Sequence, residues 1–217
     1  FDTVFDSALA GNSHKVKDYA REYGAGVADN ESSSTILVLV NTSVTNNTID
    51  LLINEPNPGL AIAYMGKSTF AYPYDQQGRV LNMAGQAFGK LGPEGIKHMT
   101  FIDACTCGDC NMNKQYENAQ RLGWWQNLAK TNKITQLPWY HLIFHEKYAG
   151  IVDVFEGGCN HARGVYRSEN QSVMGDGFVH YFNTFSREII VRRIMECSGE
   201  EFSFDQFVAN DKIELPE

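Results

Sequence analysis

Val16, Tyr19, Ala20 and Tyr23 recur at the i, i+3, i+4, i+7 spacing that lines up one face of an α-helix. They predict a helix that Ser13 caps and Gly24 ends. Thr35 to Val40 is instead an unbroken aliphatic and β-branched run, too brief for a helix, and it predicts a buried central strand. Leu60 to Met65, entered through the turn-rich NEPNPG, predicts a second strand. From Arg79 to Leu91 helical spacing returns through Val80, Met83, Ala84, Ala87, Phe88 and Leu91. Residues 113–130 predict another helix with Trp124 and Trp125 on its apolar side, and Trp139 to Phe144 a strand opened by Pro138. Ile189 to Met195 belongs to a long helix stopped near Gly199, and Ser203 with Gln206 predicts a capping box for a short last one. Asn41 to Thr48 reads as an exposed loop, and no repeat or heptad is present. Strands followed by a polar-faced helix and terminal helices describe an α+β domain with a mixed sheet.

The helix over 79–91 has the outline of a zinc-peptidase helix without its chemistry. In HExxH two histidines one turn apart reach the same metal, and the glutamate between them is the general base. Here those places hold Asn82, Met83 and Gln86. Amide oxygens are weak donors to zinc, Met83 cannot accept a proton, and such a helix binds neither the metal nor an activated water.

The framing residues carry a resemblance. The segment LNMAGQAFGKLGPEG resembles the HExGHxFGKLxDEY segment of the IgA peptidase family of bacterial zinc metallopeptidases, through Gly85, Phe88, Gly89, Lys90, Leu91 and Glu94. Similar segments run on through FIDACTC, PWYHLIF, IVDVFEGG, GVYRSENQSVM, SREIIVRRIMECSGEEFSF and DQFVANDK. The resemblance implies a zincin- or metzincin-like catalytic domain spanning residues 1–217, with an active-site helix and C-terminal helices. It maps two metal ligands onto Asn82 and Gln86, the base onto Met83 and the acidic third ligand onto Pro93, beside Glu94. None of those side chains can perform its role. Ser172-Val173-Met174 is similar to the methionine turn beneath the metal, where Met174 acts through packing. The expectation is a homologue without peptidase activity whose former cleft binds a peptide or glycan, or is filled in with Asn82 and Gln86 bonded to each other or to water. An active hydrolase would need relocated ligands. The resemblance also implies a secreted or cell-surface protein with a β-rich domain upstream. The start at Phe1, without methionine, fits an expectation of a processed or truncated chain.

Composition adds limits. A chain of 217 residues that is 43% hydrophobic can bury one sizeable core. A formal charge of −8 and the lack of a Lys/Arg-rich run argue against a nucleic-acid partner, and no apolar run reaches the roughly 20 residues that span a bilayer. Cys105, Cys107 and Cys110, with His98 upstream, could hold a structural zinc if four donors converge, or could be thiols or disulfides. His141 and His145 could clamp a metal only if helical. Glu156 lies within VFEGG, and His161, Arg163 and Arg167 follow it; an arginine there could grip a substrate carboxylate, or each could pair on the surface.

Overall fold

The structure, a computed structural model, describes residues 12–24, 34–40, 48–51, 61–66, 77–95, 110–176 and 178–213. The chain is α+β, with two three-stranded sheets and helices packed on them. The loop expected from Asn41 lies, up to residue 47, outside the described residues.

The first sheet has the order β1-β3-β2, from β1 (Thr35–Val40), β2 (Thr48–Leu51) and β3 (Ala61–Gly66). β1 runs parallel to β3 and β2 antiparallel to it, so the sheet is mixed. Period-two alternation on β3 sorts its side chains by size. Ile62 and Tyr64 pack with Val16 of α1 (Ser13–Tyr23), while Ala61 and Ala63 share the cluster that holds Met83 and Ala87 of α2 (Gln77–Ala87). The alanines on that face let α2 settle closely on β2 and β3.

Among the described residues β1 is therefore an edge strand and β3 the central one, which differs from the sequence expectation. Leu37 and Leu39 are 50% and 63% exposed on the face that β1 shares with Ala63. An unbroken apolar run says that a strand is apolar, and leaves open which side of it has a neighbour. The cap of α1 is also one residue earlier than expected. Asn12 accepts from the Lys15 N–H at 3.1 Å, whereas Ser13 is buried against the Tyr64 hydroxyl at 2.6 Å.

α3 (Cys110–Arg121) ends well before residue 130. Gly123 at φ +73° turns the chain, and Trp124 and Trp125 enter the core from that turn. The segment 139–144 is not a strand: a short helix, α4 (Tyr140–Ile143), follows Pro138 and Trp139. Trp139 is fully buried and donates its indole N–H to the Asp153 carbonyl at 3.0 Å, so an anchored aromatic sets the local path. Burying a side chain of that size contributes on the order of 2 kcal/mol.

The second sheet has the order β4-β6-β5, all antiparallel, from β4 (Leu128–Ala129), β5 (Phe155–Gly158) and β6 (His161–Arg167). Cys159 and Asn160, at φ +49° and +64°, make the two-residue turn between β5 and β6. α5 (Thr184–Ser198) starts on the Asn183 cap and stops at left-handed Gly199, and α6 (Phe204–Asn210) starts on Ser203. The stop of α5 and the start of α6 match the sequence reading. None of the helices among the described residues is long and apolar enough to cross a membrane.

Gly85 lets the methionine turn sit against α2. A Cβ at Gly85 would lie 2.7 Å from Met174 Sδ and 2.6 Å from Phe182 Cε1. Alanine gains about 1 kcal/mol of helix propensity over glycine, but overpacking costs about 1–3 kcal/mol. Gly85→Ala is therefore expected to lower the unfolding free energy, measured by urea titration. A stabilised variant would mean that Met174 is not tightly seated.

Candidate functional site

α2 ends in an unusual way. The Gly89 N–H returns to the Ala84 carbonyl at 3.3 Å and the Leu91 N–H to the Gly85 carbonyl at 3.0 Å, with Lys90 between them at φ +54°. The chain then runs from Leu91 to Gly95 beside the β5–β6 turn, where Cys159 N–H donates to the Pro93 carbonyl at 2.8 Å and Asn160 N–H to that of Gly95 at 2.9 Å. A glycine is needed at 92, because a Cβ there would lie 2.6 Å from Leu128 Cδ1 and 2.9 Å from Trp125.

Asn82 and Gln86 meet each other. Gln86 Nε2 donates to Asn82 Oδ1 at 2.5 Å, and Asn82 Nδ2 donates to the Val173 carbonyl at 2.7 Å. Both side chains are half-buried. Asn82 thus joins the helix to the Ser172–Met174 turn, and Met174 lies beneath it, buried with Leu91 and Val173. Met83 belongs to the main core and is 7% exposed.

Glu94 is the most heavily bonded group nearby. Its carboxylate, buried at 2% exposure, accepts from Asn127 Nδ2 at 2.9 Å, from Asn183 Nδ2 at 2.8 and 3.0 Å, and from the Ser172 hydroxyl. Its own N–H donates to the Met174 carbonyl at 2.9 Å. Burial pushes the Glu94 carboxyl up from the ordinary range, and the Ser172, Asn127 and Asn183 donors together with the Arg167 charge pull back against it. Asn127 also closes on Gly92 through both its amide groups, at 2.7 and 2.9 Å. Asn127 and Asn183 carry this network, and sequence reasoning missed them; an isolated asparagine has no periodic signal.

The remaining candidates are spread over the second sheet. Arg167 is buried, and its guanidinium donates to the carbonyls of Glu156, Gly157 and Asn170 at 2.9, 2.7 and 3.1 Å. Its fork is thus taken by backbone. Glu156 is exposed and accepts from the Gly164 N–H at 3.0 Å, Arg163 is exposed on β6, and His161 is buried. His141 contacts Glu188 at 2.8 Å, while His145 sits beyond the end of α4 against Phe204 and Tyr148. His98, Cys105 and Cys107 lie outside the described residues, and Cys110 begins α3. Cys159 is buried, which pushes its thiol up to about 12. Among the described residues no three His, Cys, Asp or Glu side chains converge in a way that could hold a metal ion.

No family model matches this sequence, and no characterised protein matches it at a significant level.

Proposed function

We propose that this chain is a zincin-type metallopeptidase homologue of the IgA peptidase kind whose metal site has been replaced by a hydrogen-bonded amide pair, leaving it without peptidase activity. The observation that carries the reading is the Gln86–Asn82–Val173 chain of hydrogen bonds at 2.5 and 2.7 Å. Two side chains one helical turn apart point the same way, as metal ligands would, and spend their polar atoms on each other and on the turn that holds Met174. The seating of that turn beneath α2 supports the same ancestry. A peptide or glycan held against this face would have to compete for those two amides. An exported location accompanies the proposal by resemblance alone.

Restoring the ligands tests it. Asn82→His, Gln86→His and Pro93→Asp together are expected to bind zinc on the order of a thousandfold more tightly than the parent chain, read by competition with a chromogenic chelator. The parent is expected to leave casein intact with or without added zinc. Chelator-sensitive casein hydrolysis by the parent chain would overturn the proposal.

A further inference from the structure

A cavity of about 550 Å³ opens between α5 and the turn after α3, within the size range of small-molecule sites. Asn82 and Gln86 do not line it, so it is distinct from the face discussed above and does not depend on the reading proposed for that face. Its apolar lining is Leu122, Trp124, Pro138, Phe185 and Ile189. Interleaved with these are the charged side chains Lys90, Arg192, Arg193, Glu188 and Glu196, and His141. Among the described residues that line it, three cations stand with two carboxylates, an excess of one positive charge when Lys90 is protonated.

How those charges are held decides what they can do. Glu188 has no solvent exposure; one oxygen meets His141 Nε2 at 2.8 Å and the other takes Arg192 Nε and NH2 at 2.9 and 2.6 Å. Its charge is thereby spent inside the protein. Arg192 is fixed from two directions, since its guanidinium also lies over the Phe202 ring at 3.8 Å. It is still half exposed, and its NH1 group has no hydrogen-bond partner among the described residues. A guanidinium already oriented loses little freedom when it binds a two-oxygen anion. Lys90 also lines the cavity, over the Trp124 ring at 4.5 Å, with its ammonium donating to the Ser34 carbonyl and the Thr35 hydroxyl at 3.0 and 3.2 Å.

We propose that this cavity binds a monoanion whose carboxylate meets Arg192 and Lys90 and whose apolar body lies on Trp124, Phe185 and Ile189: a hydrophobic N-acyl amino acid or the C-terminal residue of a peptide. The pH behaviour follows from the same groups. Burial, with the Arg193 charge, holds Lys90 down to about 7, and an anion beside it raises that value. Binding then takes up a proton, so affinity is highest below pH about 7 and falls as pH rises.

The test uses the whole chain labelled with fluorotryptophan. Of the three tryptophans only Trp124 lines the cavity, and Trp124→Phe assigns its signal. N-acetyl-leucine is expected to shift that signal saturably, and N-acetyl-leucinamide to bind on the order of tenfold more weakly. Affinity for the acid should drop several-fold between about pH 6 and about pH 8 in the parent and stay level in Lys90→Met. Arg192→Gln should lose the preference for the acid. Equal affinity for acid and amide in the parent, or no saturable shift at Trp124, overturns the proposal. So does full acid preference in a folded Arg192→Gln chain; should that variant not fold, the parent's acid-to-amide ratio and the Lys90→Met pH profile decide the question.

Discussion

Glu94→Ala is expected to lower the unfolding free energy by about 3–5 kcal/mol. The carboxylate joins three separate stretches: Asn127 before β4, Ser172 in the methionine turn, and Asn183 at the cap of α5. Alanine would leave those donors and the nearby Arg167 charge buried without it. Water cannot rescue them cheaply, because Ser172 and Asn183 are themselves fully buried. Ser172→Ala removes one donor and should cost about 1–2 kcal/mol. The double variant should lose much less than the two single losses combined, since both act on one network. Burial raises the Glu94 carboxyl, so the native state keeps a proton that the unfolded chain has released. This contribution to stability falls as pH rises through that window, and the advantage of the parent over Glu94→Gln should narrow with it. Urea titrations across pH read all three results. A loss below about 1 kcal/mol for Glu94→Ala would mean that the carboxylate does not tie these segments together.

The network also explains why part of the molecule was legible in the sequence and part was not. Helix α2 announces itself through apolar spacing, because Met83 and Ala87 on one face meet the core, whereas the spacing that predicts α1 includes Tyr19 and Tyr23, which are 52% and 65% exposed. Their ends are less readable. Asn12 and Ser13 are both good caps, and the choice falls to Asn12 because Tyr64, distant in sequence, claims the Ser13 hydroxyl. α2 reads as continuing to Leu91, but Phe88, Gly89 and Lys90 leave the helix so that the chain can bring the Glu94 N–H to the Met174 carbonyl. Periodicity does not encode a tertiary requirement of that kind. The run from Trp139 to Phe144 looks like a strand because short apolar runs do not distinguish strand from buried turn. Its helix is imposed from outside, by the Trp139–Asp153 and His141–Glu188 bonds.

The site shows the same division. That Asn82 and Gln86 share a face followed from their spacing alone, and mutual bonding was one of the two arrangements that spacing allowed. That Arg167 serves backbone carbonyls was not readable, because the hairpin that surrounds it is built from a bulge at Gly157 and positive φ at Cys159 and Asn160. The cavity beside Arg192 was invisible for a related reason: its walls come from α5, the turn after α3, the start of α4 and the residues after α2, four stretches with no common motif.

Met83→Glu is expected to destabilise the fold by about 3–5 kcal/mol at neutral pH. Met83 belongs to a cluster with Ala61, Ala63 and Ala87, whose side chains offer neither a hydrogen-bond donor nor a cation to a carboxylate. Such a carboxyl stays neutral by raising its pKa, and the proton it holds is lost from the unfolded chain first. Stability of the variant should therefore recover as pH falls, the opposite of what a surface glutamate would give. Met83→Leu, of similar volume, should cost less than about 1.5 kcal/mol. Asn82→His and Gln86→His, on the half-buried face, should cost about 1 kcal/mol each through the lost amide bond. If these differences hold, imidazoles can be placed on this face of α2 at little cost while a carboxylate at position 83 cannot, and the proposed ligand variant would bind zinc without hydrolysing casein. A Met83→Glu chain as stable as Met83→Leu at neutral pH would show instead that position 83 still opens toward solvent.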